Sequence, residues 1–442
     1  MLRVASILLL DSSLRIMGRC SVNRLPLFSV EGPIRLHFIV FMRIFPLLLA
    51  GLLTIALGAS AQTPPGDPPL AVKPPKTPKR ITILPVPVLF YQQETGAGYG
   101  LGGLLSGRLG TDTLTRASNA RVQFWTTQKS QSLIQFVHTI YSPGEKYYLN
   151  GEISSYKNRL YYFGIGNDAP AVTNDHRSFL DFQLFIINQR VQKSIARNQF
   201  LGLQYRLSRV YNLSQAQGRI NDDGDAIPPT NTATQNYFYQ DPRLDQRQRL
   251  NFSLSGIGPV YTLDSRDVAL AASKGNLLDL QVMFNGGFVG SDYNFVRYQV
   301  DARHYQRIFS DKTILALQFL GQFHSGNVPW YGLAGIGANL GGTLYDNANI
   351  MRGIYEQRFR DRQLVSAQAE LRQHLFWRLD GAAFIGAGQV GYNLKDYTLD
   401  GLHAAGGAGV RFNFIRRDRV NLRFDYAFGT DPGFYFAIGE AF

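Results

Sequence analysis

Five consecutive residues, Asn221-Asp222-Asp223-Gly224-Asp225, crowd three carboxylates into one polar stretch, the kind of oxygen-rich loop that can hold a divalent cation. Such a loop also needs a bidentate glutamate at a fixed distance downstream, and none stands there, so a solvated acidic loop is the preferred reading. The histidines His138, His176, His304, His324, His374 and His403 are scattered without metal-ligand spacing. His324 and His374 fall on polar strand faces, where a hydrated imidazole is the ordinary state. Ser255, Ser265 and Ser310 have no His or Asp placed to activate a nucleophile. The sequence therefore predicts no enzyme, no catalytic residue, no metal and no cofactor.

What the chain does carry is ionic and periodic. In its last stretch Val420, Leu422, Phe424 and Tyr426 alternate with Arg419, Asn421, Arg423 and Asp425. A period of two belongs to a strand, because successive side chains of a strand point to opposite faces. The pattern recurs. Leu201, Leu203, Tyr205 and Leu207 alternate with Gln204, Arg206 and Ser208; Val296, Tyr298, Val300 and Ala302 alternate with Arg297, Gln299, Asp301 and Arg303. Val365, Ala367, Ala369 and Leu371 alternate with Ser366, Gln368, Glu370 and Arg372, and Leu278, Leu280 and Val282 with Asp279 and Gln281. Charges confined to one face, backed by an apolar face, fit a wall between lipid and a wet lumen. A two-sheet sandwich also alternates, but its polar face seldom carries so many paired charges.

The expected fold is thus all-β: a transmembrane antiparallel β-barrel of about 16 strands, the even count that a bacterial barrel requires. Strands are expected near 96–109, 117–128, 131–141, 146–156, 159–165, 177–190, 197–211, 248–264, 276–288, 292–308, 313–325, 364–377, 382–394, 403–415, 419–429 and 433–442. With the last strand ending in the periplasm, the long connections 166–176, 212–247, 326–363 and 395–402 fall outside the cell. Short turns at Lys129-Ser130, Lys157-Asn158, Ser310-Asp311 and Arg416-Arg417-Asp418 fall inside. Asp264 to Gly275 is an exception, a longer connection on the periplasmic side. No apolar run of about 20 residues follows residue 61, which argues against a helical membrane protein. An aromatic content of 13% and 44 Gly fit interfacial girdles and close-packed walls.

The formal charge is +13, of which residues 1–61 contribute six Arg against two acids, leaving +9 from 39 basic and 30 acidic residues. These charges are spread along alternating strands without a basic cluster, so nucleic acid is not an expected partner. The single cysteine, Cys20, lies in a segment expected to be removed.

Met42 reads as a start, with Arg43 as a positive n-region, Ile44 to Leu57 as an apolar h-region, and Ala59-Ser60-Ala61 as a cleavage site. Residues 42–61 are then a signal peptide, residues 1–41 an upstream extension, and the mature protein begins at Gln62. The rival reading, a transmembrane anchor from Phe38 to Leu57, is interrupted by Arg43. Residues 62–80 contain seven prolines and read as an extended periplasmic tether. Residues 81–95 are expected as a segment leading into the barrel, which occupies 96–442.

Four places resemble the BamA/TamA superfamily of outer-membrane assembly barrels, also called the bacterial surface antigen family. Met351-Arg352-Gly353-Ile354 resembles the family's Val-Arg-Gly-Phe/Tyr loop motif, with five strands remaining after it. Tyr161 to Asn167 (YYFGIGN), Thr262 to Gly275 (TLDSRDVALAASKG) and the terminal NLRFDYAFG and FAIGEAF are the others. An alternating final run with Phe434, Phe436 and Ile438 on one face, closing on Phe442, is similar to the C-terminal barrel recognition signal. The resemblance spans 96–442.

It implies an extracellular loop folded inward, its arginine meeting carboxylates on the inner wall. Parity places Glu370 on the polar face of the strand after the loop, so Arg352 is expected to pair with it. The family also puts an Asp in a Phe-x-Asp pattern on the next strand; here Phe384-Ile385-Gly386 has Gly386 at that position, and Glu370 or Asp425 would have to compensate. The alternative is a solvated loop arginine. The implied function is insertion or translocation of proteins at the outer membrane. Its implied partners are outer-membrane lipid and lipopolysaccharide, the barrel assembly machinery for its own insertion, and client outer-membrane proteins. That function needs a weak seam where incoming strands pair by β-augmentation. The glycine-rich run Gly96 to Gly107 would supply a floppy edge strand, or would simply permit tight curvature. Residues 62–95 are too short for the POTRA domains that assembly proteins of the family use. The competing expectation is therefore a structural or plugged pore-forming surface barrel.

Overall fold

The computed structural model describes residues 81–92, 96–109, 115–168, 178–215, 237–269, 271–338, 349–415 and 419–442. The strands, in chain order, are β1 (Ile81–Gln92), β2 (Gly96–Gly107), β3 (Ser118–Thr127), β4 (Ser132–Tyr141), β5 (Tyr147–Tyr162), β6 (Ser178–Ala196) and β7 (Gln199–Gln215). β8 (Phe252–Asp264), β9 (Gly275–Asn285), β10 (Phe295–Arg307) and β11 (Thr313–Gly326) follow. Three short strands, β12 (Ala334–Ala338), β13 (Asn349–Ile350) and β14 (Phe359–Asp361), lie in one long connection. β15 (Gln363–Phe376), β16 (Leu379–Gly391), β17 (His403–Ile415), β18 (Val420–Phe428) and β19 (Gly433–Ile438) complete the chain. Sixteen of these form one antiparallel sheet in sequential order, with β11 beside β15; β12 to β14 make a separate small sheet. The fold is the transmembrane antiparallel β-barrel expected from the alternation. No helix among the described residues is long and apolar enough to cross a membrane.

Burial runs opposite to that of a soluble sheet. On β7 Leu203 is 58% exposed while its neighbour Gln204 is 3% exposed. On β16 Ile385 is 66% exposed while Phe384 beside it is buried. Apolar side chains such as Leu101, Phe124, Ile134, Val191 and Phe319 point away from the protein, and Gln135, Gln192, Gln299, Gln318 and Gln368 are buried. In water, such a surface would sit far above the usual limit for exposed apolar patches; in lipid it is the stable one.

The count of sixteen is reached through different strands from those expected. Ile81–Gln92 is not a lead-in but β1, paired with β2 in unbroken register from Ile81↔Gly107 to Gln92↔Gly96. Pro85 and Pro87 discourage a strand assignment, yet their spacing of two puts both missing N–H groups on one side of the strand. The other side can then form a complete ladder. The strands expected at 146–156 and 159–165 are one strand, β5. Lys157 and Asn158 stay in register opposite Gln183 and Phe182, although the pair looked like a turn. Because one strand is gained and one lost, every strand from β6 onward keeps its expected direction. Lys129-Ser130 moves to the opposite end, and Gly96–Gly107 becomes the second strand, paired on both sides.

One end of the barrel carries the short connections 142–146, 197–198, 308–312 and 377–378 and the one between β17 and β18, together with two of ten residues, 108–117 and 265–274. Asn198 and Trp377 adopt positive φ (61° and 51°) in the two-residue turns. Asn tolerates that conformation better than most residues. The other end carries the long connections 163–177, 216–251, 327–362 and 392–402. There Trp330 is fully buried among Tyr162, Phe182, Phe238 and Phe252. Its backbone N–H donates to Gln248 Oε1 (2.8 Å) and its indole N–H to the Gln248 carbonyl (3.1 Å). This aromatic cluster fastens the start of connection 327–362 to the barrel wall.

Candidate functional site

Residues 349–362 of this connection are turned inward by a sharp bend at Met351-Arg352-Gly353. Met351 has φ +58° and Gly353 φ +101°. The Ile354 N–H closes the bend on the Met351 carbonyl (3.2 Å). Glycine at 353 is required twice over. Its φ suits no other residue well, and a Cβ there would stand 2.5 Å from the Phe428 carbonyl oxygen. The bend is tied to the last hairpin: Gly353 N–H donates to Tyr435 Oη (2.9 Å), Asp431 N–H to the Gly353 carbonyl (2.9 Å), and Tyr355 N–H to Asp431 Oδ2 (3.1 Å). Met351, Ile354, Phe359, Leu364 and Val390 form an apolar cluster beside it.

The bend delivers Arg352 to the inner wall. Its Nη2 donates to Glu370 Oε2 at 2.6 Å, its Nη1 donates to Asp425, and its guanidinium lies 3.5 Å from the Phe384 ring centroid. Arg352, Glu370 and Asp425 are all buried. The structure thus brings Arg352 to both carboxylates named from the sequence. It also adds residues that were not expected at this site. Arg372 donates to Glu370 (2.7 Å), and Arg411 lies 3.3 Å from Glu370 and pairs with Asp425. Arg411 also meets Glu440 at 2.8 Å, and Arg423 lies 3.4 Å from Asp425. Charge-assisted hydrogen bonds of this kind compensate for the loss of water around each ion. Arg411 and Arg423 lie on alternating polar faces and were legible by parity. Glu440 lies beyond the last strand, where parity has no meaning.

Gly386 explains its own departure from the Phe-x-Asp pattern. A Cβ at 386 would fall 2.8 Å from Met351 Sδ. The thioether occupies the space that an Asp side chain would need, and Glu370 and Asp425 receive the arginine instead.

The C-terminal residues divide. Phe434 is 77% exposed on the outer face, whereas Phe442 is 6% exposed, packed with Ala272, Tyr305 and Ala316. Phe436 and Ile438 lie in β19 opposite Phe424 and Leu422. Phe442 does not share the lipid-facing side with Phe434, because β19 ends at Ile438 and Gly439 takes φ +88°. Asn221 to Asp225 lie outside the described residues. His324 is buried, not hydrated, with Nδ1 2.8 Å from the Arg362 carbonyl oxygen. His374 Nδ1 sits 2.6 Å from Asp380. Among the described residues no group of His, Cys, Asp and Glu could hold a metal.

A sixteen-stranded barrel with a lipid-compatible exterior, a polar inner wall and an inward arginine loop is an integral outer-membrane barrel. Residues 116–442 match the Omp85 superfamily domain, and the chain belongs to that superfamily. Members of the superfamily are outer-membrane insertion or translocation proteins and work among the lipids of that membrane. Among solved structures it is similar to BamA from Haemophilus ducreyi lacking POTRA domains 1–3, at 13% identity over 81% of this chain and 68% of that one, with a TM-score of 0.45. CdiB from Acinetobacter baumannii is similar at 12% identity over 81% of this chain and 60% of that one, with a TM-score of 0.49. CdiB from Escherichia coli is similar at 11% identity over 84% of this chain and 62% of that one, with a TM-score of 0.48. The chain therefore spans less than two thirds of either CdiB. No curated protein sequence matches it. No POTRA-like domain lies among the described residues.

Proposed function

We propose that this barrel assists the insertion or translocation of client proteins at the outer membrane, with connection 327–362 as a luminal plug held by Arg352. The observation that supports the reading is the seating of Arg352 on Glu370 and Asp425 within an Omp85 barrel. Incoming strands would pair by β-augmentation at the edges β1 and β19, where main-chain donors and acceptors give affinity without side-chain specificity. The Arg352 ion pairs also favour a second reading, a plugged pore-forming surface barrel without assembly activity. Photocrosslinkers placed along β1 and β19 separate the two. Adducts with nascent outer-membrane barrels are expected. Their absence, together with steady ion conductance once the lumen is opened at both ends, would establish the pore.

We further infer that the last strand ends in the periplasm, which places 216–251 and 327–362 outside the cell. Protease added to intact cells should then cut between residues 216 and 251. Cleavage only after permeabilisation would invert the topology.

A further inference from the structure

The connection between β8 and β9, residues 265–274, is one of two ten-residue connections at the end that otherwise carries tight turns, the other being 108–117. It is held from many directions. Where it leaves β8, Arg116 of connection 108–117 donates to the carbonyl of Asp264, the last residue of that strand (2.9 Å), and lies 3.5 Å from its carboxylate. Arg419, in the β17–β18 turn, donates to Asp267 Oδ2 (2.8 Å) and to Ser273 Oγ (3.1 Å). Arg372 on β15 donates to the Ala272 carbonyl (3.3 Å), and the Phe442 ring packs on Ala272. In sheet order β3 is separated from β8 by four strands, and β17 is separated from β9 by β10, β11, β15 and β16. A turn lying against its own wall reaches only its neighbours. One bonded to β15 and to the turn ahead of β18 leans across the mouth.

We propose that residues 265–269 and 271–274, with the C-terminal Gly439–Phe442, form a second closure that bars this end of the lumen independently of the plug at the other end. The attachment is built for permanence. Burial alone would raise the Asp267 carboxyl, but hydrogen bonds from Ser273, Lys274 and Arg419 hold it below its ordinary value, so it stays ionised at neutral pH. Arg266 is clamped on Asp264 at 2.9 Å and also donates to the Ala269 carbonyl (3.1 Å), which fixes the bend. The wall also holds the C-terminus directly: the Phe442 carbonyl accepts from Arg372 Nη2 on β15 (2.9 Å). This inference rests on the barrel and its contacts, and it holds whether the barrel inserts proteins or is a passive pore.

The test is single-barrel conductance of the purified full chain in planar lipid bilayers. Arg352→Ala releases the plug, Asp267→Asn with Arg419→Gln releases the turn, and a third protein carries all three substitutions. Protease sensitivity of 327–362 reports separately whether the plug has been released. Sustained conductance is expected only when both ends are released. Sustained conductance from Arg352→Ala alone, equal to that of the combined variant, would overturn the proposal. So would silence in the combined variant with its plug cleavable, because the turn would then not be the remaining barrier. If the turn variant fails to reach folded gel mobility, Ser273→Ala takes its place, removing one shared hydroxyl and no charge.

Discussion

Glu370→Gln is expected to lower the temperature at which the folded barrel loses its compact gel mobility further than any other single substitution in the luminal cluster. Glu370 receives Arg352 at 2.6 Å, Arg372 at 2.7 Å and Arg411 at 3.3 Å. The cluster holds four guanidinium groups, on Arg352, Arg372, Arg411 and Arg423, against three carboxylates, on Glu370, Asp425 and Glu440. Neutralising Glu370 leaves four cations facing two anions, all out of water. Breaking a buried pair by removing one partner costs about 3–5 kcal/mol, against at most about 1 kcal/mol for an exposed pair. Arg352→Ala acts in the other direction, leaving three cations on three anions. Its cost to the barrel should therefore be smaller than that of Glu370→Gln, while its effect on protease cleavage within 327–362 should be larger, because the loop loses its anchor. The double variant should be less damaged than the sum of the singles, since the surplus positive charge left by Glu370→Gln is itself relieved. Equal and negligible shifts for both singles would show that the loop is an ordinary surface loop.

Gly353→Val should unseat the loop while leaving the ion-pair residues in place. Two terms combine. A β-branched residue at φ +101° is strained by about 1–3 kcal/mol, and its Cβ would press into the Phe428 carbonyl, a backbone atom fixed by the β18–β19 hairpin. Gly144→Ala is the matched control. Gly144 also has positive φ (+66°), but a Cβ there meets nothing within 4 Å, so only the conformational cost of about 1 kcal/mol remains. Limited proteolysis should show rapid cleavage in 327–362 for Gly353→Val and a wild-type pattern for Gly144→Ala. Similar patterns for the two would mean that the close approach to the last hairpin does not hold the loop.

Much of the barrel was legible because lipid enforces a strict rule. Leu203 must face out and Gln204 in, and a period of two records that rule in every strand. The loop arginine was legible for a related reason: Arg352 needs a buried anion, and alternation assigns Glu370 and Asp425 to the inner face. The rest depended on information that alternation lacks. Lys157-Asn158 has turn composition, but its neighbours on β6 hold it extended. Ile81–Gln92 contains two prolines that local propensity counts against a strand, whereas an edge position removes the objection. Glu440 and Phe442 lie past the final strand, where the chain bends inward and only three-dimensional contact assigns them a side.

The two prolines of β1 reach beyond strand assignment. With β2 on one side in full register, the N–H groups that point away from it belong to one alternate set, Ile81, Ile83, Pro85, Pro87, Leu89 and Tyr91. Two of the six carry no hydrogen, so the outer edge presents four donors in two pairs, one near each end, with a silent stretch between them. Any strand laid along this edge can be gripped at its tips but not at its waist. β19, with six residues against the twelve of β1, is too short to engage both grips fully. The edge is therefore neither a sealed border nor an indiscriminate template. It rewards a longer partner that spans the gap, and it gives little hold to a short one.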